Sequence, residues 1–513
     1  MNQVYFGSGA YGVEAAAQVF FRKSVDELTL SECALIAGLP KSPSRYSPLV
    51  NPSLALKRRA VVLNQMARKG FIHKEALRTA NASPLGLAHL GEASTKAPYF
   101  VASVAGFLEQ QLGQTALYRR GLTVYTTLNY AFQKAAEDAV ERGLHQLSSR
   151  MKNSGLAPEE LPQAALVCLD ANRGTILAMV GGRSFEESRF NRATMALRQP
   201  GSAFKPFIYA LAVEKGFGQD FILWDAPIVF KGAGEGQDWM PKNFTEEFRG
   251  EMTLRRALAL SQNIPAVRLL NKLGPTPAVQ FAYRMGIESP LDGNLPLVLG
   301  TSEVTLLELT AAYAVFPNGG VWTKPFGVTE VLERERRLWR ERPQMRTAIS
   351  PETAAVTTDM LRAVILEGTG KAANHLGRPL AGKTGSTDSY KDALFVGFSP
   401  SIVTGVWVGL DRHGTLGNEE TGARAALPIW IDFMERILPG LPYEYFDVPE
   451  GVVRVRMDAE SGLLASEDCP HAVTALFKKG AQPKQYCTHG THRPSGGLDR
   501  EGWRLGSRLT YPE

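Results

Sequence analysis

Apolar positions recur at helical spacing from about Ala10 to Lys69. Val13-Glu14-Ala15-Ala16-Ala17-Gln18 is a strong helix former, Leu28-Thr29-Leu30-Ser31-Glu32 offers a Thr or Ser start, and Pro40 stops that helix. Pro43, Pro48 and Pro52 punctuate a loop before a helix over Leu54 to Met66, whose Lys57-Arg58-Arg59 run reads as its solvated start. From about Asn81 to Leu161 a connector follows, with at least two helical stretches and the alternating Leu122-Thr123-Val124-Tyr125-Thr126-Thr127-Leu128, which reads as a strand. Beyond Pro162, apolar strands over Ala164 to Leu169 and Thr175 to Val180 flank Asp170-Ala171-Asn172-Arg173-Gly174, a run with hairpin-turn chemistry. A second hairpin is predicted at Ala393 to Leu410, where Phe395 to Phe398 and Val403 to Val408 flank Ser399-Pro400. Between the hairpins the pattern is mostly helical, with loops at Gly232 to Asp238 and Pro290 to Pro296. Strands at both ends around helices predict an α+β fold, a sandwich built on one antiparallel sheet flanked by helices. After about Pro449 a short loop-rich tail is expected, in which Asp458-Ala459-Glu460-Ser461-Gly462-Leu463-Leu464-Ala465 echoes Asp170 to Ala178, the same turn used twice rather than a repeat array.

At 513 residues, two or three folding units are expected, because single cores stop growing well below that length. Hydrophobic residues at 44%, charged residues at 21% and aromatics at 9% exclude long disorder and fibrous repeats. A net charge of +6 suits anionic lipid or cell-wall polymer, and no basic stripe interleaved with aromatics points to nucleic acid. The first residues, Met-Asn-Gln-Val-Tyr-Phe-Gly, lack the basic start and apolar core of a signal peptide, and no apolar run approaches the ~20 residues that span a bilayer. The sequence as it stands is therefore expected to carry no anchor. Cys33 and Cys168 lie in apolar runs and are expected to be buried small hydrophobes. Cys469 and Cys487 sit in the tail, and in an oxidising compartment a disulfide between them would close a loop worth on the order of 3 kcal/mol. His471, His489 and His492 make zinc the rival reading, but paired C-x-x-C or H-x-x-x-H spacing is missing, so no metal is expected.

Three short motifs occur in order: Ser202-Ala203-Phe204-Lys205, Ser261-Gln262-Asn263 and Lys383-Thr384-Gly385. Ser149-Arg150-Met151-Lys152 also fits S-x-x-K, in polar surroundings that read as a loop. Context separates the two. Ser202 follows Pro200-Gly201 and opens an apolar helical run with Pro206 in its first turn, which places it at a helix N-terminus. Residues three apart share a helix face, so Lys205 is expected to reach the Ser202 hydroxyl as its base, while the helix end offers an N–H to a developing oxyanion. A lysine acts as a base only when neutral, which burial or a second cation enforces; Lys383 is the candidate cation. In this scheme Ser261 relays a proton to the leaving amine, and the Asn263 amide holds the substrate's peptide carbonyl. Lys383 and Thr384 grip a terminal carboxylate, Gly385 lets the backbone approach, and the Ser386 N–H completes the oxyanion hole. Blander roles exist for each residue: a helix cap for Ser202, a snorkelling Lys205, a turn at Asn263, an edge strand at Lys383. Order and context together favour the catalytic set, which requires no cofactor.

With these motifs the chain resembles class A penicillin-binding proteins, the bifunctional peptidoglycan glycosyltransferase and transpeptidases. The resemblance also covers Arg198-Gln199-Pro200-Gly201-Ser202, Leu299-Gly300-Thr301-Ser302-Glu303-Val304-Thr305, Glu367-Gly368-Thr369-Gly370-Lys371-Ala372-Ala373 and Val406-Trp407-Val408-Gly409. It implies a serine β-lactamase/transpeptidase-like domain over residues 162–447, preceded by a partial all-helical glycosyltransferase remnant over 1–80 and a linker region over 81–161. A C-terminal tail over 448–513 follows. The implied reaction is attack of the serine on a stem peptide ending in D-Ala-D-Ala, release of D-Ala, and transfer of the acyl group to an amine on a neighbouring strand, with β-lactams trapping the serine. The implied partners are stem peptides and glycan strands, on the extracytoplasmic face of a bacterial inner membrane. The start resembles the C-terminal part of the family's glycosyltransferase domain through Tyr5-Phe6-Gly7-Ser8-Gly9-Ala10-Tyr11-Gly12-Val13-Glu14 and Leu35-Ile36-Ala37-Gly38-Leu39-Pro40. The family's anchor and its E-D-x-x-F, Q-Q and R-K-x-x-E segments would precede Met1, so no glycosyltransferase activity is expected of this sequence. Lys57, Arg58 and Arg59 match that domain's last motif and read as structural remnants.

Two enzymes and one binder compete with this reading. A class A β-lactamase carries an E-x-x-L-N segment between the second and third motifs, and none lies between Asn263 and Lys383. A D,D-carboxypeptidase differs only in using water as acceptor. A non-catalytic wall-binding or β-lactam-sensing module has no use for a lysine held in a costly neutral state.

Overall fold

The computed structural model describes residues 4–7, 10–49, 51–87, 96–113, 117, 121–156, 160–234, 237–333, 335–412 and 414–488. Two compact units emerge: Met1–Thr126 with Val328–Glu341, and Thr127–Gly327 with Arg342–Glu513. This division follows strand pairing and cuts across the four sequence segments. The strand Val328–Glu333, far along the chain, pairs with Leu122–Thr126 on one side and with Arg336–Arg340 on the other.

In the first unit, helices Val13–Phe21, Leu30–Gly38 and Pro52–Arg68 bury Phe6, Ala16, Ala17, Phe20, Leu35, Ile36 and Ala55 together. Thr29 starts the second of these with a capping box: its hydroxyl accepts from the Glu32 N–H, and Glu32 accepts from the Thr29 N–H at 2.8 Å. Two expectations fail here. Cys33 is exposed, because with Ala37, four residues on, it forms the one face that this otherwise buried helix turns outward. Arg59 is buried at mid-helix rather than solvated, donating to Ser31 Oγ, Ser83 O, Asn81 O and Pro84 O; its guanidinium ties off carbonyls that would otherwise be orphaned. Helix Pro98–Leu112 covers the three-stranded sheet through Leu108, Val328 and Val331, with Phe107 edge-on to Trp339.

The second unit is organised by a five-stranded antiparallel sheet: β1 (Gln163–Asp170), β2 (Ile176–Val180), β3 (Ala381–Ser386), β4 (Asp392–Phe398) and β5 (Ile402–Gly409), in the order β3-β4-β5-β1-β2. Both expected hairpins are present, within a residue or two of their predicted ends. Helices α1 (Tyr130–Asn153) and α6 (Leu427–Ile437) cover one face, with Phe132 edge-on to Phe433 and Trp430 against Phe395. Helix α4 (Leu306–Ala314) covers the other, its Leu306 and Thr310 side chains lying directly over Gly405. A sheet covered on both sides needs apolar residues at odd and even positions alike, which is why β4 and β5 are buried along their whole length. Helices α2 (Lys205–Glu214), α3 (Asn263–Leu273) and α5 (Pro351–Leu366) complete the unit.

Three further differences concern loops. Ser149 to Lys152 lies in the last turns of α1, not in a loop, and the Ser149 hydroxyl donates to His145 O. Of the loop expected over Gly232 to Asp238, the described residues belong to a two-stranded ribbon, Phe230–Gly234 with Gln237–Trp239. The tail contains a regular hairpin, Val452–Asp458 with Ala472–Lys478, joined to the helices by the Asp359 carboxylate, which accepts from Gln219, Arg255 and the Leu476 N–H. The repeated turn chemistry is real: Gly174 N donates to Asp170 O and Gly462 N to Asp458 O, each at 2.9 Å.

Candidate active site

Ser202 stands in a single 3-10 turn, Gly201–Phe204, that runs straight into α2. Gly201 has φ +55°, and a Cβ there would lie 2.4 Å from Ser386 O; a Cβ at Gly385 would lie 2.3 Å from Pro200 O. Only glycines let the Ser202 turn press backbone to backbone against the end of β3. From behind, the Tyr313 hydroxyl donates to Ala203 O at 2.5 Å, and burial pushes its phenol pKa far up, so it stays a donor. Among the described residues no hydrogen bond engages the Ser202 hydroxyl itself.

Two lysines, both fully buried, meet at one serine. Lys205 Nζ lies 2.6 Å from Ser261 O, 3.1 Å from Gln262 O, 2.7 Å from Asn263 Oδ1 and 3.4 Å from Ser261 Oγ. Lys383 Nζ, from β3, lies 2.8 Å from Ser261 Oγ and 3.0 Å from Thr384 O. Ser261 takes the left-handed conformation, φ +59°, which costs a non-glycine residue of order 1 kcal/mol or more and persists only where surroundings enforce it. Here it turns both a carbonyl and a hydroxyl toward the lysines. Burial, and next the charge of Lys383, hold the Lys205 ammonium well below the usual lysine range; burial alone brings Lys383 to about 7.

The structure thus gathers Lys205, Ser261, Asn263, Lys383 and Thr384 into one hydrogen-bonded cluster, with Gly385 and Ser386 against the Ser202 turn. One expected contact is replaced. Lys205 does not bond the Ser202 hydroxyl in this structure, because Ser202 belongs to the 3-10 turn while Lys205 is the first α-helical residue, and the oxygens of residues 261–263 hold the amine instead. Asn263 is also more constrained than expected. Its Oδ1 accepts from Lys205 and its Nδ2 donates to Lys242 O at 2.9 Å, leaving one amide hydrogen for a substrate. The Ser386 hydroxyl accepts from Gly422 N at 2.9 Å. Cys469 and Cys487, far from this cluster in sequence, are both buried thiols.

Three residues were missed at the sequence level. Asn243 accepts from the N–H groups of Asn263 (3.1 Å) and Ile264 (3.2 Å), capping α3 from outside, while its own amide donates to the buried Asp225 carboxylate at 2.6 Å. Nothing near Asn243 in sequence marks it. Thr369 Oγ1 lies 2.7 Å from Thr384 Oγ1, and its signal was its place in the Glu367 to Ala373 string. Tyr313 carried none.

Comparison with known proteins agrees with this arrangement. The family described as penicillin binding protein transpeptidase domain matches residues 164–427, transglycosylase matches 1–67, and the C-terminal domain of penicillin-binding protein 1A matches 448–491. Penicillin-binding protein 1A of Aquifex aeolicus is 37% identical, over 95% of this chain and 77% of that protein; the Pseudomonas aeruginosa protein of the same name is 31% identical, over 94% and 77%. Among solved structures, penicillin-binding protein 1A from Haemophilus influenzae superposes with a TM-score of 0.81 at 29% identity, covering 95% of this chain and 91% of that one. PonA1 from Mycobacterium tuberculosis in complex with penicillin V gives 0.60 at 26%, covering 69% and 96%. Nearly the whole chain therefore aligns with one kind of cell-wall synthesis enzyme, and it belongs to the class A penicillin-binding proteins, with a serine acyltransferase-type transpeptidase domain.

Proposed function

We propose that the chain is a peptidoglycan D,D-transpeptidase acting through an acyl-Ser202 intermediate. The observation that carries this is the convergence of two buried lysines of depressed pKa on Ser261, beside a nucleophile turn pinned to β3. Ser202 Oγ attacks the carbonyl of the penultimate D-Ala and its proton passes to neutral Lys205. The N–H groups of Ser202 and Ser386 face the oxyanion. Collapse breaks the peptide bond, and the departing D-Ala amine takes its proton through Ser261, which Lys383 and Lys205 both touch. An amine of a second stem peptide then attacks the ester, forming the cross-link and returning the serine. The remaining charge of Lys383, with the Thr384 hydroxyl, holds the substrate carboxylate; the free hydrogen of the Asn263 amide holds the donor peptide. A β-lactam follows the same first step and stays attached, since its leaving amine remains tethered.

The protein works on the extracytoplasmic side of the membrane, where stem peptides and glycan strands are found; no helix among the described residues is long and apolar enough to cross a bilayer. Water in place of the acceptor amine would make the same site a carboxypeptidase. Labelling with a fluorescent penicillin, with mass spectrometry of the adduct, tests the acylation half: the adduct maps to Ser202 and is lost in Ser202→Ala. Product analysis with a donor and an acceptor stem peptide tests the other half, and free acid without cross-linked dimer would overturn the transpeptidase assignment.

A further inference from the structure

Arg198 stands four residues before Ser202, where the chain has little regular structure. A single antiparallel bridge joins it to Val304: Arg198 N donates to Val304 O at 3.0 Å and Val304 N to Arg198 O at 2.9 Å. Its side chain reaches the central sheet. The guanidinium lies over the Trp407 ring, 4.8 Å from the centroid, with Nη1 3.6 Å from Asp392 Oδ1. Nη2 donates to Asp411 O at 3.3 Å and lies 4.0 Å from that residue's Oδ1. The same Asp392 Oδ1 accepts from Trp407 Nε1 at 2.8 Å, so guanidinium, indole and carboxylate each touch the other two.

The sheet register builds this triangle. Asp392 opens β4 opposite Gly409, and Trp407 of β5 stands opposite Leu394, so carboxylate and indole share one face of the sheet. A Cβ at Gly409 would lie 2.4 Å from the Trp407 ring; the glycine leaves the room in which the indole reaches Asp392. Burial raises the Asp392 carboxyl, and the Trp407 N–H, the Arg198 charge, the Thr387 hydroxyl and the Lys391 charge work against that rise. Asp392 also closes the loop that leaves β3: its N–H donates to Thr387 Oγ1 at 2.9 Å, and its carbonyl accepts from Thr387 N at 3.1 Å. Thr387 follows Ser386 directly. The triangle therefore joins the stretch entering the Ser202 turn to the loop leaving Ser386, the two backbone segments that press together at Gly201 and Gly385.

We propose that Arg198 is a positioning residue for acyl transfer, holding the Ser202 and Ser386 N–H groups at one angle through Asp392 and Trp407. This rests on the proposed transpeptidase reading, in which those two groups face the oxyanion. They lie far apart in sequence, and an oxyanion gains from both only when both point at the same oxygen. The glycine contacts fix how closely the segments approach. A planar cation that stacks on an indole and pairs with a carboxylate, both on adjacent sheet strands, fixes how they are turned. Lysine cannot reproduce this, because its ammonium has no flat face.

The test compares acylation of the full chain by a β-lactam and by its analogue with sulfur in place of the ring carbonyl oxygen, a poorer hydrogen-bond acceptor. Arg198→Ala is expected to slow acylation by the oxygen compound about 10 to 100-fold, as a misplaced donor does, with noncovalent affinity changed less than about twofold. The sulfur compound should lose much less, so the rate ratio between the two falls, and Arg198→Lys should recover only part of the loss. Loss of folding would lower both rates alike, and differential scanning fluorimetry with circular dichroism shows how much of each variant is folded. Arg198→Met, which keeps an aliphatic stem over Trp407, takes the place of Arg198→Ala if the latter does not fold. Unchanged acylation in the folded variants, or an equal loss with both compounds, overturns the role of Arg198. A wild-type chain that forms no Ser202 adduct overturns the transpeptidase reading itself, so the two failures are distinguishable.

Discussion

The chain contains the pattern S-x-x-K twice, and the two copies show what the pattern itself lacks. Ser149 and Lys152 lie near the C-terminal end of a long amphipathic helix; the hydroxyl is satisfied by a carbonyl one turn back and the ammonium is exposed to water. Ser202 and Lys205 straddle the junction of a 3-10 turn and a helix whose residues are almost all buried. There the hydroxyl is unengaged among the described residues, and the amine is enclosed by four oxygens of residues 261–263 and a second lysine. Spacing is identical, but desolvation differs entirely. A lysine in water stays charged at neutral pH and cannot take a proton, whereas one fully removed from water can.

The sharpest way to break the comparison is to exchange the fates of the two serines. Ser202→Ala is expected to abolish the penicillin adduct, while Ser149→Ala leaves its rate and site unchanged; intact protein mass spectrometry reads both. Next in size is the base. Lys205→Gln is expected to slow acylation by about 10² to 10⁴-fold, the range for a lost general base, against no change for Lys152→Gln. The loss should fall on the acylation step, with noncovalent penicillin affinity changed far less, as stopped-flow quenching of a fluorescent β-lactam would show.

The pH profile probes the same contrast. In the proposed mechanism, acylation of the free enzyme needs Lys205 neutral and Lys383 charged. Lys205 is shifted well below the usual range, so the rising limb lies well below the pH at which an ordinary lysine loses its proton; Lys383, at about 7, sets the falling limb as it loses its charge. The pair shares Ser261 and titrates as a unit, so the limbs belong to the cluster rather than to single residues. Lys383→Arg, whose guanidinium stays charged, should move the falling limb to higher pH and leave the rising limb in place. A profile in which both limbs keep their position would remove Lys383 from this role.

Much of this was legible in advance, for definite reasons. The strands on either side of Asp170–Gly174 and Ser399–Pro400 are apolar throughout and bounded by turn residues, so both hairpins could be read directly. The three motifs could be read because each is local, and because Pro200, Gly201 and Pro206 mark a helix start. What escaped was set by contacts between distant segments. Thr369 meets Thr384 and Asn243 meets Asn263 only once the chain is folded. The orientation of Lys205 depended on the backbone of Ser261, whose left-handed conformation a serine does not announce. Arg59 was misread because a basic run normally lies in solvent, and only the folded chain offers it four buried or half-buried oxygens. Ser149 was assigned to a loop because its polar neighbours conceal the stripe of Ala139, Val140, Leu144, Leu147 and Met151 that α1 turns toward the sheet.

Smaller effects sharpen the comparison by testing what surrounds the cluster. Asn243→Ala removes the acceptor for two N–H groups at the start of α3 and uncovers the buried Asp225, so both stability and acylation should fall, the latter about tenfold, consistent with one or two hydrogen bonds. Asn243→Asp keeps an acceptor but places a second carboxylate against Asp225, and should recover less than Asn243→Ser. Differential scanning fluorimetry alongside acylation rates separates the effect on folding from that on the site.

The smallest expected effect is at Thr369. Its hydroxyl lies 2.7 Å from that of Thr384, which in turn is 3.4 Å from Lys383 Nζ, so it fixes the Thr384 rotor at the end of the site assigned to the substrate carboxylate. Thr369→Val keeps the shape and removes one hydroxyl–hydroxyl bond, worth about 1 kcal/mol, or about fivefold in rate. If Thr369 acts through carboxylate recognition, the loss appears with penicillins bearing the free carboxylate and vanishes with their methyl esters, which already forgo that contact. An equal loss with both would instead show that Thr369 only holds the loop after α5 against β3, and the carboxylate end of the site would then rest on Lys383 and Thr384 alone.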